Sequence, residues 1–297
     1  MKRKYLLLLF TSCSLFLQAQ TVNYKTIKDT PEDAANLFIN FEILQVEAAL
    51  NNISGSSLNL GISSLYHYKN KFGIEGTFRK SYLSLGLTGH TQIAAGVFYN
   101  FASITKVRTQ KIVLDTKSYT RGGNKYTETT SLKVPATVLK SYGVRFGMDY
   151  TSEFLEADLA VHGFAGDYNY KTTGIYIGFL NTKQMNFTMD TDLFGFAGER
   201  FIRRYYLDGM IYPGKNITSS PGGVRYTGPT IGSNFGFRAG VEFLSPEPRK
   251  VHGNAFYTKL EVGMRPLDGV YMMVAIGVSF KRKLKGSNAY TPYREKN

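Results

Sequence analysis

Residues 230–243 read Thr-Ile-Gly-Ser-Asn-Phe-Gly-Phe-Arg-Ala-Gly-Val-Glu-Phe. Taken alternately, Ile231, Ser233, Phe235, Phe237, Ala239, Val241 and Phe243 make one row, and Gly232, Asn234, Gly236, Arg238, Gly240 and Glu242 make the other. Successive side chains of a strand point to opposite faces. One face of this segment is therefore almost wholly apolar, and the other is polar or bare.

The pattern recurs in both directions. Toward the end of the chain, Phe256, Thr258, Leu260, Val262 and Met264 oppose Tyr257, Lys259, Glu261, Gly263 and Arg265. After the turn Pro266-Leu267-Asp268-Gly269, the row Val270, Met272, Val274, Ile276, Val278, Phe280 opposes Tyr271, Met273, Ala275, Gly277 and Ser279. Earlier, Leu58, Leu60 and Ile62 oppose Asn59, Gly61 and Ser63. Phe72, Ile74, Gly76 and Phe78 oppose Gly73, Glu75, Thr77 and Arg79. Tyr142, Val144, Phe146, Met148 and Tyr150 oppose Gly143, Arg145, Gly147 and Asp149. No segment shows a convincing helical period beyond a single turn expected at Thr30-Pro31.

A soluble antiparallel sheet would show the same period. Two features favour a membrane. Many segments reach the 9–11 residues needed to cross a bilayer at a tilt. Small or charged residues also recur on the second face, as a crowded lumen demands. The composition agrees: 21 Tyr, 21 Phe, 30 Gly and no Trp, in a chain that is polar on average. The expectation is an all-β fold, an antiparallel transmembrane β-barrel of about 12 strands, within a range of 10–14. Candidate strands begin near 37, 56, 71, 91, 107, 125, 139, 154, 172, 199, 230, 254 and 269. That is an odd number, whereas bacterial single-chain barrels are even, so one segment is miscounted or one is missed near 82–88 or 183–194.

The N-terminus suggests the compartment. Lys2-Arg3-Lys4 precedes an apolar stretch from Tyr5 to Leu17, followed by Gln18-Ala19-Gln20. This is the pattern of a secretory signal peptide over 1–19, cut after Ala19. A lipoprotein signal would cut before Cys13, but the apolar stretch runs on past it. Cys13 is the only cysteine, so cleavage after Ala19 would leave no thiol for a disulfide, a metal site or a nucleophile. The formal charge of +14 falls to +11 without Lys2, Arg3 and Lys4. In an exported chain this points to lipopolysaccharide phosphates or anionic solutes, with no nucleic acid as partner. The expected organisation is a periplasmic lead-in over 20–36, the barrel over 37–284 and a polar tail over 285–297. Stretches 105–136 and 213–229 are rich in turn residues and are expected as long loops or protruding hairpins on the outer side.

The Gln18-Ala19-Gln20 signal end, the Tyr- and Gly-rich alternating strands, and a late strand ending Gly277-Val278-Ser279-Phe280 resemble outer-membrane β-barrel proteins of Bacteroidota-type bacteria. The resemblance covers roughly 37–284 and does not single out a subfamily. It implies insertion by the barrel-assembly machinery, for which an aromatic-ended last strand is a usual signal. This chain departs from that pattern in the 17 residues, Lys281–Asn297, that follow Phe280.

Glu75, Arg79, Arg145, Asp149, Arg204, Asp208, Arg238, Glu242, Lys259, Glu261 and Arg265 fall on the inward rows. They would either line a charged constriction or close the lumen by cross-strand neutralisation. Narrow barrels are filled by their own side chains, which favours closure. Arg203 falls in an apolar row and is expected near an interface. There a charge avoids the ~2–4 kcal/mol that Arg costs at the bilayer midplane. Tyr66, Tyr68, Phe98, Tyr99, Tyr142 and Tyr150 are expected in interfacial girdles, and Lys281-Arg282-Lys283 among headgroups. The histidines are His67, His90, His162 and His252. Asp158 lies near His162, but no nucleophile–base motif accompanies either. No catalytic, cofactor or metal site is expected. The sequence reads as a non-enzymatic outer-membrane barrel, either a narrow solute pore or an accessory subunit of an assembly, secretion or motility complex. A lipid-modifying barrel enzyme and a soluble periplasmic β-sheet binding protein are the alternatives. Partners would be outer-membrane lipid and lipopolysaccharide, the assembly machinery during insertion, and other outer-membrane complex subunits.

Overall fold

The computed structural model describes residues 22–33, 36–49, 56–85, 89–155, 168–219, 234–246, 253–266 and 269–282. The signal segment, the 285–297 tail, His162 with Asp158, His252, Lys283 and the strand expected from 154 lie wholly or mainly outside these residues. Eleven strands follow one another: β1 (Tyr24–Asp29), β2 (Leu37–Ala49), β3 (Ser56–Tyr68), β4 (Phe72–Leu85), β5 (Gly89–Arg121), β6 (Asn124–Leu155), β7 (Tyr168–Thr191), β8 (Gly195–Ser219), β9 (Phe235–Pro246), β10 (Gly253–Arg265) and β11 (Gly269–Arg282). A single 3-10 turn, Pro31–Asp33, sits at the helical turn expected there.

Strands β2 to β11 pair with their sequence neighbours, all antiparallel, and β11 pairs back onto β2. The result is a closed ten-stranded up-and-down barrel, with β1 outside it on the edge of β7. The alternating rows behave as their hydropathy demands. Phe72, Ile74 and Phe78 point out and Arg79 points in, while along β11 the side chains Met272, Ile276 and Phe280 are exposed and Tyr271, Met273 and Ala275 are buried.

Ten strands replace about 12 because two of them are far longer than a membrane crossing requires. The candidates at 91 and 107 are one 33-residue strand, β5, and those at 125 and 139 are one 32-residue strand, β6. The stretches 82–88 and 183–194 hold no extra strand in their described residues. They carry the far ends of β4 and β7.

The 105–136 stretch is thus a hairpin and not a loop. Its tip turns at Gly122 and Gly123, both at positive φ, as a two-residue hairpin turn matched to strand twist requires. Strand direction in a meander alternates, so the β5–β6 tip lies at the same rim as the start of β2 and the end of β11. The β8–β9 connection, which contains most of 213–229, lies at the opposite rim. The two stretches therefore cannot share one side of a membrane, contrary to the expectation that both face outward. Within 213–229, residues up to Ser219 are the end of β8.

Beyond the barrel, β5 has lost β4 as a partner after Tyr99 and pairs only with β6. From residue 104 to the tip the hairpin would span roughly 55–60 Å if straight. It packs against a neighbouring hairpin instead. Ile112, Val134, Ala136 and Val138 pack against Met185, Phe187, Met189, Ala197 and Phe201 of the β7–β8 hairpin, forming a second apolar core outside the barrel. The lead-in, for which a single helical turn is the only expected element, also supplies β1, which pairs with β7 within this extension. Asp29 accepts hydrogen bonds from the Thr137 backbone N–H (2.7 Å) and hydroxyl (2.6 Å), tying β1 to β6. Gln184 donates to the Pro31 carbonyl (2.6 Å) and Asn186 to that of Thr30 (3.2 Å).

Candidate functional site

Every charge expected inward is inward, and the barrel brings all eleven into one interior. Its middle is a continuous network. Glu75 accepts from Arg145 Nη2 (2.6 Å), Arg204 Nη2 (2.5 Å) and the Tyr176 hydroxyl (3.2 Å). Arg204 reaches on to Glu242 (2.6 Å), which lies 3.6 Å from Lys259. Lys259 pairs with Glu261 (3.2 Å), and Glu261 also accepts from the hydroxyls of Tyr206 and Tyr271. On the other side Arg145 approaches Asp208 (3.4 Å), and Asp208 accepts from Arg238 (2.6 Å). Arg238 in turn stands 3.8 Å from Asp149. Asp149 accepts from Gln92, and Gln92 accepts from Arg79 (both 2.9 Å).

Two carboxylates missing from the expected set complete the network. Glu42 receives a bidentate grip from Arg79, at 2.7 and 3.0 Å. Glu47 binds Arg265 at 2.5 Å. With Glu42 and Glu47 included, seven carboxylates face six cations within this network. The potential therefore nearly cancels, and nothing in it favours one sign of mobile ion.

Aromatic rings fill the space between charges. Arg238 lies 4.1 Å from the centre of the Tyr176 ring, Arg145 4.3 Å from that of Tyr206, and Arg265 3.9 Å from that of Tyr271. These rings need bare wall opposite them. A Cβ at Gly147 would overlap the Tyr176 hydroxyl, and one at Gly240 would overlap the Tyr206 ring. The inward glycines read from the sequence are thus the seats of tyrosines from the neighbouring strand, Gly147 being paired with Tyr176 and Gly240 with Tyr206. The cavity remaining among Glu75, Arg145, Arg204, Arg238, Glu242 and Lys259 is about 30 Å³, room for about one or two waters.

Toward the rim that carries the chain ends, the interior becomes apolar. Phe38, Leu65, Phe98, Leu180, Ile202 and Leu244 meet there with Tyr206, Tyr257 and Ala275. Phe98, expected in an outer girdle, is 2% exposed and belongs to this layer, edge-on to His67 at 5.0 Å. Tyr99 and Tyr142 do face outward. Lys281 is also turned inward and is 4% exposed, unlike Arg282. Arg203, expected near an interface, stands toward the same rim with its guanidinium over Phe201 (4.4 Å). At the opposite rim His90 Nδ1 contacts Glu153 at 3.2 Å. Among the described residues no cluster of His, Cys, Asp and Glu is arranged to hold a metal. The described histidines, His67 and His90, face a phenyl ring and a carboxylate, with no hydroxyl nucleophile bonded to either ring.

No family model matches the sequence, and no curated protein matches it. Among solved structures it is similar to one described as the CymD monoaromatic hydrocarbon channel, at 8% identity and a TM-score of 0.24, over 84% of this chain and 89% of that one. A likeness at that level carries no statement about a solute or a pathway.

Proposed function

We propose that the chain is an outer-membrane β-barrel that works as a closed anchor for the β-extension at its terminus-bearing rim, and not as an open pore. Support for a membrane comes from the outer surface. Ile39, Phe41, Leu60, Ile62, Ile74, Ile93, Val97, Phe146, Ile177, Phe179, Leu207, Phe237, Val262 and Ile276 are all exposed, and with their neighbours they put apolar side chains on every wall of the barrel. Soluble monomers rarely expose contiguous apolar patches beyond a few hundred Å². No described helix is long and apolar enough to cross a membrane, and strands of a closed barrel can cross without one. The lead-in and both barrel ends share one rim, which in this reading is periplasmic.

The observation that carries the closed reading is the interior itself. A neutralised charge network whose central cavity has room for about one or two waters lies next to an apolar layer, and the extension beyond it carries a second apolar core. Opening a path would require breaking several buried ion pairs together. The extension then becomes the surface available to partner subunits. Purified protein in planar bilayers is expected to give no steady single-channel steps at any sustained voltage. Regular steps from the unmodified protein would refute the anchor. Co-purifying subunits lost on removal of residues 113–130 would support the platform, whereas a barrel that is solitary with and without the hairpin tip would refute it.

A further inference from the structure

Three consecutive strands place a cation at the same height on the outer wall. In the strand register Lys140 of β6 lies opposite Lys183 of β7, and Lys183 lies opposite Arg203 of β8. Neighbouring strands are about 4.8 Å apart, and like charges directly opposite one another are destabilising. Among the described residues none of the three forms an ion pair. Arg203 feels the Glu199 carboxylate four residues away, while Arg108 and Lys106 add to the repulsion on Lys140. The cations are nevertheless held in place, Lys183 over the Tyr205 ring at 5.0 Å and Arg203 over Phe201.

Two residues further along each strand, on the same outer face, stand Tyr142, Asn181 and Tyr205. They border a groove of about 280 Å³ whose apolar floor and walls include Phe101, Phe179 and Leu207. The cationic row is the next outward row beyond the groove's border residues Tyr142, Asn181 and Tyr205. An apolar slot with aromatic walls and a row of unneutralised cations at one end matches an acyl chain joined to an anionic phosphate.

We infer that the outer face of β5–β8 at the terminus-bearing rim is a binding site for an anionic phospholipid, with an acyl chain along the groove and the phosphate on Lys140, Lys183 and Arg203. This rests on the membrane reading above. The chain has no Trp, so Tyr142→Trp installs a single fluorescent reporter in the groove. Phe41→Trp places one on the opposite wall. Each protein, folded into vesicles of mixed phosphatidylcholine and phosphatidylglycerol, is quenched with brominated acyl chains on one lipid or the other.

The Trp at position 142 is expected to prefer the anionic lipid by about fivefold in relative binding constant, and the Trp at position 41 by little. Adding Lys140→Gln, Lys183→Gln and Arg203→Gln should bring the preference at 142 close to one. Heat-modifiable gel migration confirms that this variant folds, and the three single substitutions, each lowering the preference in part, serve if it does not. Equal quenching by both lipids at 142 would overturn the site, as would a preference that survives all three substitutions. A preference abolished by inorganic phosphate at constant ionic strength would assign the row to a free anion and overturn the lipid. No quenching at either position would instead refute the membrane reading itself.

Discussion

Glu75 and Arg204 offer a direct measure of whether the lumen is dry. Their side chains are 12% and 2% exposed and meet at 2.5 Å, while Glu75 also holds Arg145 and Arg204 also holds Glu242. A double-mutant cycle with Glu75→Gln and Arg204→Met isolates the pair. At a charge separation of ~4 Å the Coulomb attraction is about 4 kcal/mol at an effective dielectric near 20, and about 1 kcal/mol in bulk water. Solvated pairs measure ~0.2–1 kcal/mol. The single substitution Glu75→Gln keeps the shape but strands two guanidiniums, so it is expected to cost ~3–5 kcal/mol. Because Arg204 retains Glu242 and Arg145 retains Asp208, the lower half of that range is expected. The coupling energy should come out at ~2–4 kcal/mol. Urea titration in detergent micelles, with folded and unfolded bands resolved by gel migration, provides the assay. A coupling below ~0.5 kcal/mol would show that water screens the pair. The closed lumen, and with it the anchor reading, would then be wrong.

Phe98→Ala should destabilise the barrel by about 3–5 kcal/mol in the same titration, because it empties a fully enclosed place beneath Arg204 and beside His67; a loss under 1 kcal/mol would place the ring in lipid. Gly123→Val forces a β-branched residue into the positive φ of the hairpin tip, at a cost of about 1–2 kcal/mol. It should raise protease cleavage near 121–124 while leaving the gel migration of the barrel intact, and loss of the folded band would contradict the separation of extension from barrel. Glu199, in the extension, has its carboxyl raised above 4.5, chiefly by burial and against the pull of Arg203. The raised value means that the folded form holds the proton more tightly. Its favourable contribution is complete below the unfolded value and is lost as pH rises through the folded one. Glu199→Gln should therefore stabilise at pH 7 by less than ~1 kcal/mol, since the group is half exposed, and have no such benefit at pH 4. An equal effect at both values would refute the assignment.

The rows around Phe237, Leu260 and Ile276 were legible because each side chain there meets one of two different surroundings, and hydropathy reports which. The same logic located all eleven expected lumen charges. It failed on β2, where Glu42 and Glu47 lie. A register shift in the pairing with β3, between Glu42 and Gln45, leaves both Ile43 and Leu44 exposed, at 61% and 42%. The bulge breaks the two-residue period in the middle of the strand and hides both carboxylates from an alternation count. Phe98 was misread for a different reason. In Val97-Phe98-Tyr99-Asn100-Phe101 both faces carry aromatic rings, and hydropathy cannot tell an inner layer from lipid. The β5–β6 extension was legible as a protruding hairpin, one of the two expectations for 105–136, but its continuity with the barrel strands was not, because Thr and Lys dominate its exposed length. Its strands persist through pairing with each other and through a core supplied by β7 and β8, contacts that no local window contains.

On the outer-membrane reading proposed above, the division of the interior into a charged middle and an apolar end follows from a conflict between export and packing. An all-apolar lumen could be better packed and more stable, since replacing a buried ion pair by apolar groups is often neutral or stabilising. It would also turn each strand into an uninterrupted apolar run, and a run of ~18 or more such residues reads as a membrane-spanning helix. Arg145 and Asp149 interrupt β6, and Asp208 interrupts β8, in the middle of the barrel wall, while Arg204 interrupts β8 closer to the rim. The apolar layer can be tolerated only where a strand soon leaves the bilayer, and that is where it sits, with Leu180 within three residues of Asn181 and Lys183 and Ile202 beside Arg203. On this argument, moving the apolar layer to mid-barrel by Arg145→Leu with Glu75→Leu and Asp208→Leu should yield a protein that folds from urea in detergent yet is poorly exported. Normal export of that variant would remove export as the reason for the charges and leave closure of the lumen as their whole purpose.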